Sequence, residues 1–370
     1  MPTYGRMTAD EAVDEWNDRH VHDAGDAVSL YEESKARKVL FIVLCLILCA
    51  AAVGLSIGIG PYDLGILRSY SVIWDHVSGN PQDRLMDFIV WEKRLPRAVL
   101  GISAGAGLAV GGCVMQSILR NPLADTYTTG ISAGAGLGAT LAFTAGLSVA
   151  SGGLGVMLNS FVMALIPMGV VVLISRLRDG SSMVMIMAGI AMMYLFNAVS
   201  AVFKMMSDPN ALSALYAWQL GSIAGAGWGT AMIAAAAVAA GTVVMCLMAQ
   251  RINVLSSGEE YARSMGIDAS SLRNVSLATA TVMAAVIVSF TGLIGFVGLV
   301  APHICRMAIG SDNRYLMPAS AAFGASLLLI ADIVGRSINP PAEIQVGIVT
   351  AFMGAPLFLY LAFRQRRCVW

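Results

Sequence analysis

The stretch Asn274–Cys305, NVSLATATVMAAVIVSFTGLIGFVGLVAPHIC, decides how the chain is organised. It contains no Asp, Glu, Lys or Arg, and as one helix rising about 1.5 Å per residue it would measure roughly 48 Å. That exceeds a hydrocarbon core of about 30 Å and falls short of two full crossings. Something must break it, and Gly292, Gly295, Gly298 and Pro302 can do so. The stretch therefore reads as a full crossing at 274–295 followed by a half-length helix at 298–309. The unwound backbone between them must be buried in protein, since lipid offers it no hydrogen-bond partner.

On either side, apolar runs of spanning length recur at 39–60, 97–119, 127–149, 154–175, 183–204, 229–249, 315–335 and 344–363. With the broken pair they give ten crossings. Charge favours the same count. Ten crossings from a cytoplasmic N-terminus put the tail's five basic residues inside, together with Arg120, Arg176, Arg178, Arg251, Arg263, Arg273, Arg306, Arg314, Arg364, Arg366 and Arg367. Counting the broken pair as one crossing would send the terminal arginines outside. The composition agrees: 57% of the 370 residues are hydrophobic and 12% charged, and the mean hydropathy is +0.72. A soluble enzyme is excluded. The 23 basic and 23 acidic residues cancel, so no basic field is available to hold nucleic acid.

The chain divides into an acidic cytoplasmic tail (1–38), a membrane domain (39–364) and a short cytoplasmic C-terminal tail (365–370). Thr8 and Glu11 could form a capping box for a tail helix, the alternative being disorder. The first apolar run begins only at Val39 and is too long for a secretion signal. Six cysteines without a C-x-x-C pair read as packing residues. The octapeptide GISAGAGL occurs at Gly101–Leu108 and again at Gly130–Leu137, and its small-xxx-small pattern calls for close helix contact. The stretch 205–228, rich in Gly and Trp, is expected to lie in the interface or to re-enter a cavity rim.

Chemistry on this chain is sparse. None of its four lysines follows a glycine, so no phosphate-cradling G-x-x-x-x-G-K-[ST] loop is encoded and ATP hydrolysis would have to reside on another chain. Four scattered histidines form no catalytic arrangement. An ion-driven carrier would show carboxylates within its helices; the nearest, Asp332, stands four residues before Arg336 at ion-pair spacing. The inside connection 250–273 contains a glycine, an acidic first turn and a second glycine, in the order of a short helix lying along the membrane or of a surface linker. Lys93, Arg94 and Arg97 cluster on the side that the charge bias disfavours, either to dock an acidic partner or to anchor at the interface. Met183, Met187 and Asn197 on the fifth crossing are pathway candidates, with core packing as the alternative for the methionines.

The runs RLPRAVLGISAGAGLAVGGCVMQSILRNPLAD (Arg94–Asp125), GEEYARSMGID (Gly258–Asp268) and GLIGFVGLVAPHICRMAIGSDNRYLMPAS (Gly292–Ser320) resemble the iron-siderophore, haem and cobalamin uptake permeases of ATP-binding-cassette importers. ADIVGR (Ala331–Arg336) and GIVTAFMGAPLFLYL (Gly347–Leu361) extend the likeness. It implies an all-α, ten-helix type II importer permease in a bacterial cytoplasmic membrane, both termini inside. It also implies a second permease copy or close paralogue, two cytoplasmic ATPase subunits carrying the ATP and Mg, an external binding protein, and no cofactor or metal on this chain. By the same resemblance, Gly258, Glu259, Glu260, Tyr261, Ala262, Arg263, Ser264, Met265 and Gly266 form the helix that couples to the ATPase. Arg94, Arg97 and Arg336 become outward-facing arginines that meet acidic residues of the binding protein. Thr126, Leu293 and Gln345 stand where the family commonly has prolines or a Gly-Pro. The expected function is ATP-driven inward transport of a metal chelate by alternating access. The rivals are an ion-coupled secondary transporter built from inverted halves and a purely structural or receptor-like membrane protein.

Overall fold

In the computed structural model the break falls at Gly292–Phe296, between α11 (Ala269–Thr291) and α12 (Val297–Ile309). The backbone described covers 9–60, 62, 64–79, 82–177 and 182–364, and the side chains those of 32–60, 62, 64–79, 82–176 and 183–360. Thr8 of the proposed capping box, Arg178, Cys368 and the C-terminal tail with Arg366 and Arg367 lie outside these residues. The remaining helices are α1 (Ala9–Gly58), α2 (Ile66–Val77), α3 (Arg84–Asp87), α4 (Leu95–Leu119), α5 (Ile131–Thr144), α6 (Gly152–Leu177) and α7 (Ser182–Met205). They continue with α8 (Pro209–Gln219), α9 (Trp228–Ser257), α10 (Glu259–Ser264), α13 (Asn313–Ser337) and α14 (Val346–Arg364). A π-helical stretch, Phe88–Arg94, joins α3 to α4 without interruption, and a 3-10 turn, Thr126–Thr129, precedes α5. Among the described residues, seven helices are long and apolar enough to span a bilayer; α5, α12 and α14 are shorter apolar helices, and together they make ten.

Most expected crossings fall within a few residues of these helices. The span expected at 127–149 differs: its first residues form the 3-10 turn, Gly130 adopts φ +86°, and only Ile131–Thr144 is helical. The acidic tail is not a separate piece, since α1 runs unbroken from Ala9 into its apolar span. Of the four residues expected to cause the break, Gly292 does so, with φ +70°. Phe296, at φ +67°, is the other turning residue. Pro302 sits inside α12, and having no N–H it leaves the Gly298 carbonyl without its helical donor. That carbonyl lies against Gly112 of α4, where a Cβ would collide with it.

The loosened backbone is sealed by protein, as anticipated. Tyr127 Oη accepts from Ile294 N–H (3.3 Å), and Ser222 N–H donates to the Thr291 carbonyl (2.7 Å). Gly347 N–H, at the head of α14, donates to the Gly221 carbonyl (3.2 Å). The stretch after α8 thus re-enters the molecule, with Ile223 and Ala226 buried. Asp208 starts α8 by accepting from Asn210 and Ala211 N–H (2.9 and 3.1 Å).

α4 is the axis of the bundle. The spanning window of Arg84–Leu119 is 83% buried, against 22% for α1 and 17% for α7, so α4 is enclosed by helices while α1 and α7 keep most of their surface outside the fold. The two octapeptides account for close packing, as expected. Gly105 meets the Gly324 backbone of α13, while Gly134 of the second copy and Gly138 just after it meet the Met163 and Asn159 carbonyls of α6. Cys45, Cys113 and Cys305 are buried free thiols, whereas Cys246 is exposed.

Gly112→Ala is expected to destabilise the protein by roughly 1–3 kcal/mol, because backbone on α12 cannot yield to the added methyl. Gly169→Ala, on an open face of α6, should be neutral or stabilising by about 0.5–1 kcal/mol. Thermal unfolding of the two purified variants in detergent measures the contrast.

Candidate functional site

The two ends of the bundle carry the polar chemistry. At one end α4, α9 and α13 are tied together: Asn253 Nδ2 donates to Asp312 Oδ1 (2.7 Å), and Asn313 donates from its backbone and side chain to Asn253 Oδ1 (2.9 and 2.8 Å). Ser117 of α4 donates to Asn313 Oδ1 (3.1 Å). Burial pushes the Asp312 carboxyl up, but hydrogen bonds from Arg314 and Asn253 outweigh this and hold it below the usual carboxylate range.

α10 projects from this end. Gly258, at φ +149°, turns the chain out of α9. After one and a half turns Gly266 N–H donates to the Arg263 carbonyl and Ile267 N–H to the Ala262 carbonyl (3.0 and 2.9 Å). This closure needs the left-handed φ of +75° at Gly266, which explains why a glycine stands there. Ala262 is the buried foot of the helix, while Glu260, Tyr261, Arg263, Ser264 and Met265 are exposed. Glu259 is only partly exposed and has a partner within the fold. It is ion-paired to Arg273, a buried side chain of α11 that sequence reasoning did not single out. Arg120, at φ +48° just past the end of α4, donates from Nη2 to the Leu255 carbonyl at 3.4 Å. α10 is therefore held through Glu259, and the end of α9 from which it springs through Arg120. A groove of about 660 Å³ runs beside it, lined by Met248, Arg251, Met265, Asp268 and Leu272 among others.

At the opposite end the three arginines come together, but not as expected. Arg94 is 5% exposed and Arg336 3%, so neither is outward-facing in this conformation. Arg94 Nη1 donates to the Ile57 and Gly58 carbonyls (2.7 and 2.9 Å), and Arg336 Nη1 donates to the Ile59 carbonyl (2.8 Å). The physical reason is local. α1 ends here with carbonyls that have no helical donor, and a cation at a helix C-terminus both caps them and opposes the dipole. Asp332 forms the anticipated pair with Arg336 (3.1 Å), yet its closer partner is Arg97 (2.8 Å), which also binds Glu343 (2.8 Å). Two cations, Arg97 and Arg336, thus share Asp332, Arg97 also holds Glu343, and Arg97 is the arginine nearer solvent. Asp332 lies far from Arg97 in sequence, and Glu343 carried no signal of its own.

The pathway candidates share one face. Met183, Met187 and Asn197 are exposed on α7 in line with Ile190 and Tyr194, at alternating spacings of four and three, while Met185, Ala188 and Phe196 on the other side are buried. The methionines are therefore not core residues of this chain.

The chain resembles transport permeases along most of its length. It is 35% identical over 329 residues to an Fe(3+)-citrate import system permease of Bacillus subtilis, covering 89% of this chain and 96% of that protein. It is 40% identical over 275 residues to a cobalamin import system permease of Halobacterium salinarum, covering 74% and 73%. Among solved structures, a metal-chelate type ABC transporter in an inward-facing conformation superposes with a TM-score of 0.77 at 29% identity, over 88% of this chain and 99% of that one. Residues 44–364, from the apolar part of α1 to the end of α14, match one family throughout, and the chain belongs to the FecCD transport family.

Proposed function

We propose that this chain is the permease subunit of an ATP-binding-cassette importer that moves a metal chelate, such as an iron-siderophore, haem or cobalamin, inward across the cytoplasmic membrane. The observation that carries this reading is α10: a short helix held by Glu259–Arg273, on an α9 end bound by Arg120, presenting Glu260, Tyr261, Arg263 and Met265 to whatever binds that end. A rigid mixed polar and apolar knob suits the cleft of a cytoplasmic ATPase. The ATP and Mg belong to that partner; nucleotide-driven closure pushes on α10, and α4, α9 and α11 pass the displacement into the bundle.

Charge supports a cytoplasmic position for the α10 end, which carries Arg120, Arg176, Arg251, Arg263, Arg273, Arg306 and Arg314. The far end then receives an external binding protein. Arg97 supplies its cation for docking, with Arg94 and Arg336 fixing the rim from behind. A second permease copy or close paralogue faces α7, so that Met183, Met187 and Asn197 of each copy line the passage. Ion coupling is the weaker reading, because Asp332, the carboxylate within α13, is held by two arginines.

Tyr261→Ala with Met265→Ala should abolish recovery of an ATPase partner and chelate uptake while leaving the thermal stability of the isolated chain unchanged. Glu259→Gln should instead lower that stability by about 1–3 kcal/mol, because it strips the buried Arg273 of its counter-ion. Pull-down and melting of the same variants separate the two effects.

Cysteines placed at Met187 and Asn197 should react with a small polar maleimide above the background of native thiols, and their rates should change when ATP is trapped on the partner. A cysteine at Met185, buried on the other side of α7, should stay unreactive in every state.

A further inference from the structure

α2 takes no part in the coupling end or in the α7 face, and its sequence ILRSYSVIWDHV divides into three sides. Ser69, Val72, Ile73 and His76 turn inward: Ser69 is buried, Val72 and Ile73 pack on the Ile57–Val90–Ala98 cluster, and the His76 ring stacks on Trp91 at 3.9 Å. Arg68, Ser71 and Asp75 form a polar side beside a small cavity shared with Asp83 and Asp87. The third side is apolar and largely uncovered by the described residues: Leu67 is 88% exposed, Trp74 73%, Val77 68% and Tyr70 44%, at the i, i+3, i+7, i+10 spacing of a continuous stripe. The His76–Asp87 contact (2.7 Å) and the Trp91 stack fix the rotation of α2, so the stripe cannot roll inward.

Its position selects the occupant. α2 folds back onto the last turns of α1, where Gly54 and Gly58 give it room: a Cβ on Gly58 would lie 2.5 Å from Ile66 Cγ1, and one on Gly54 2.8 Å from Tyr70 Oη. The stripe is therefore continuous with the exposed apolar face of α1, which runs from Val39 to Leu55. Tyr62, Leu85 and Phe88, on the segments that flank α2 in the chain, are exposed as well. Aromatic side chains gathered at the end of a spanning helix, on a helix with one apolar and one polar side, fit the boundary between acyl chains and headgroups.

We infer that α2 is an interfacial helix whose Leu67–Tyr70–Trp74–Val77 side lies in the lipid of the leaflet at the arginine end, with its Arg68–Ser71–Asp75 side towards water. It thereby holds the junction of α1 and α4, and with it Arg94, at a fixed membrane depth. The test uses the full chain in nanodiscs of phosphatidylcholine, or of phosphatidylcholine brominated at acyl carbons 6,7 or 11,12. Emission of Trp74 is isolated by difference from Trp74→Phe. The expected result is quenching by bromine, stronger at 6,7 than at 11,12, with little quenching by aqueous iodide. Quenching by iodide without quenching by bromolipid would overturn the proposal in favour of a face open to water or to a binding protein. Protection from both quenchers would overturn it in favour of a second protein chain. A polarity-sensitive fluorophore on Leu67→Cys gives an independent check, since it should emit to the blue of the same label on Arg68→Cys, and equal emission would contradict the assignment.

Discussion

The backbone at Gly292–Phe296 has left its helix inside a bundle that gives it no water, and its polar groups must find partners in protein. Much of the architecture follows from that constraint. The stretch behind α8 folds inward to reach Thr291, the head of α14 comes up to Gly221, and the Tyr127 hydroxyl stands beneath Ile294. Three segments remote in sequence converge because an interrupted helix has to be closed over. The interruption in turn lets α12 be short and lean on Gly112 of α4.

α4 connects this core to both ends. It can be enclosed by α9, α11, α12 and α13 because glycines let its neighbours approach at backbone distance, which in lipid replaces the hydrophobic drive of a water-soluble core. Its first turn holds Arg97 in the arginine–carboxylate knot, and the residue after its last turn, Arg120, reaches the carbonyl that precedes α10. One stiff element thus links the two surfaces where partners are proposed to bind. The knot itself is a buried ionic network, and such networks specify geometry more than they stabilise. Here it fixes the end of α1 against α4 and α13.

The ten apolar helices, the broken pair and the glycine contacts were legible in the sequence because each depends on local length, polarity or side-chain size. Gly266 was legible as a helix stop for the same reason. What could not be read was set by distance along the chain. The resemblance made Arg94 and Arg336 outward-facing, and nothing near them in the sequence shows that the carbonyls of α1 end beside them. Arg97 finds Asp332, and Glu259 finds Arg273, only once the helices are packed. Phe296 at positive φ carries no signal either, since a bulky residue is a poor guess for that conformation. The split of the 127–149 span into a 3-10 turn and a short helix depends on Gly130 fitting between α6 and α7, which no single segment reveals.

The proposed function makes this chain a conduit driven by a partner at the α10 end. The most direct measurement is transport by the purified chain in sealed vesicles, alone or with an ATPase partner, driven either by ATP or by an imposed proton or sodium gradient. Chelate should accumulate only when the ATPase and ATP are both present. Accumulation by the chain alone down a cation gradient would contradict the account.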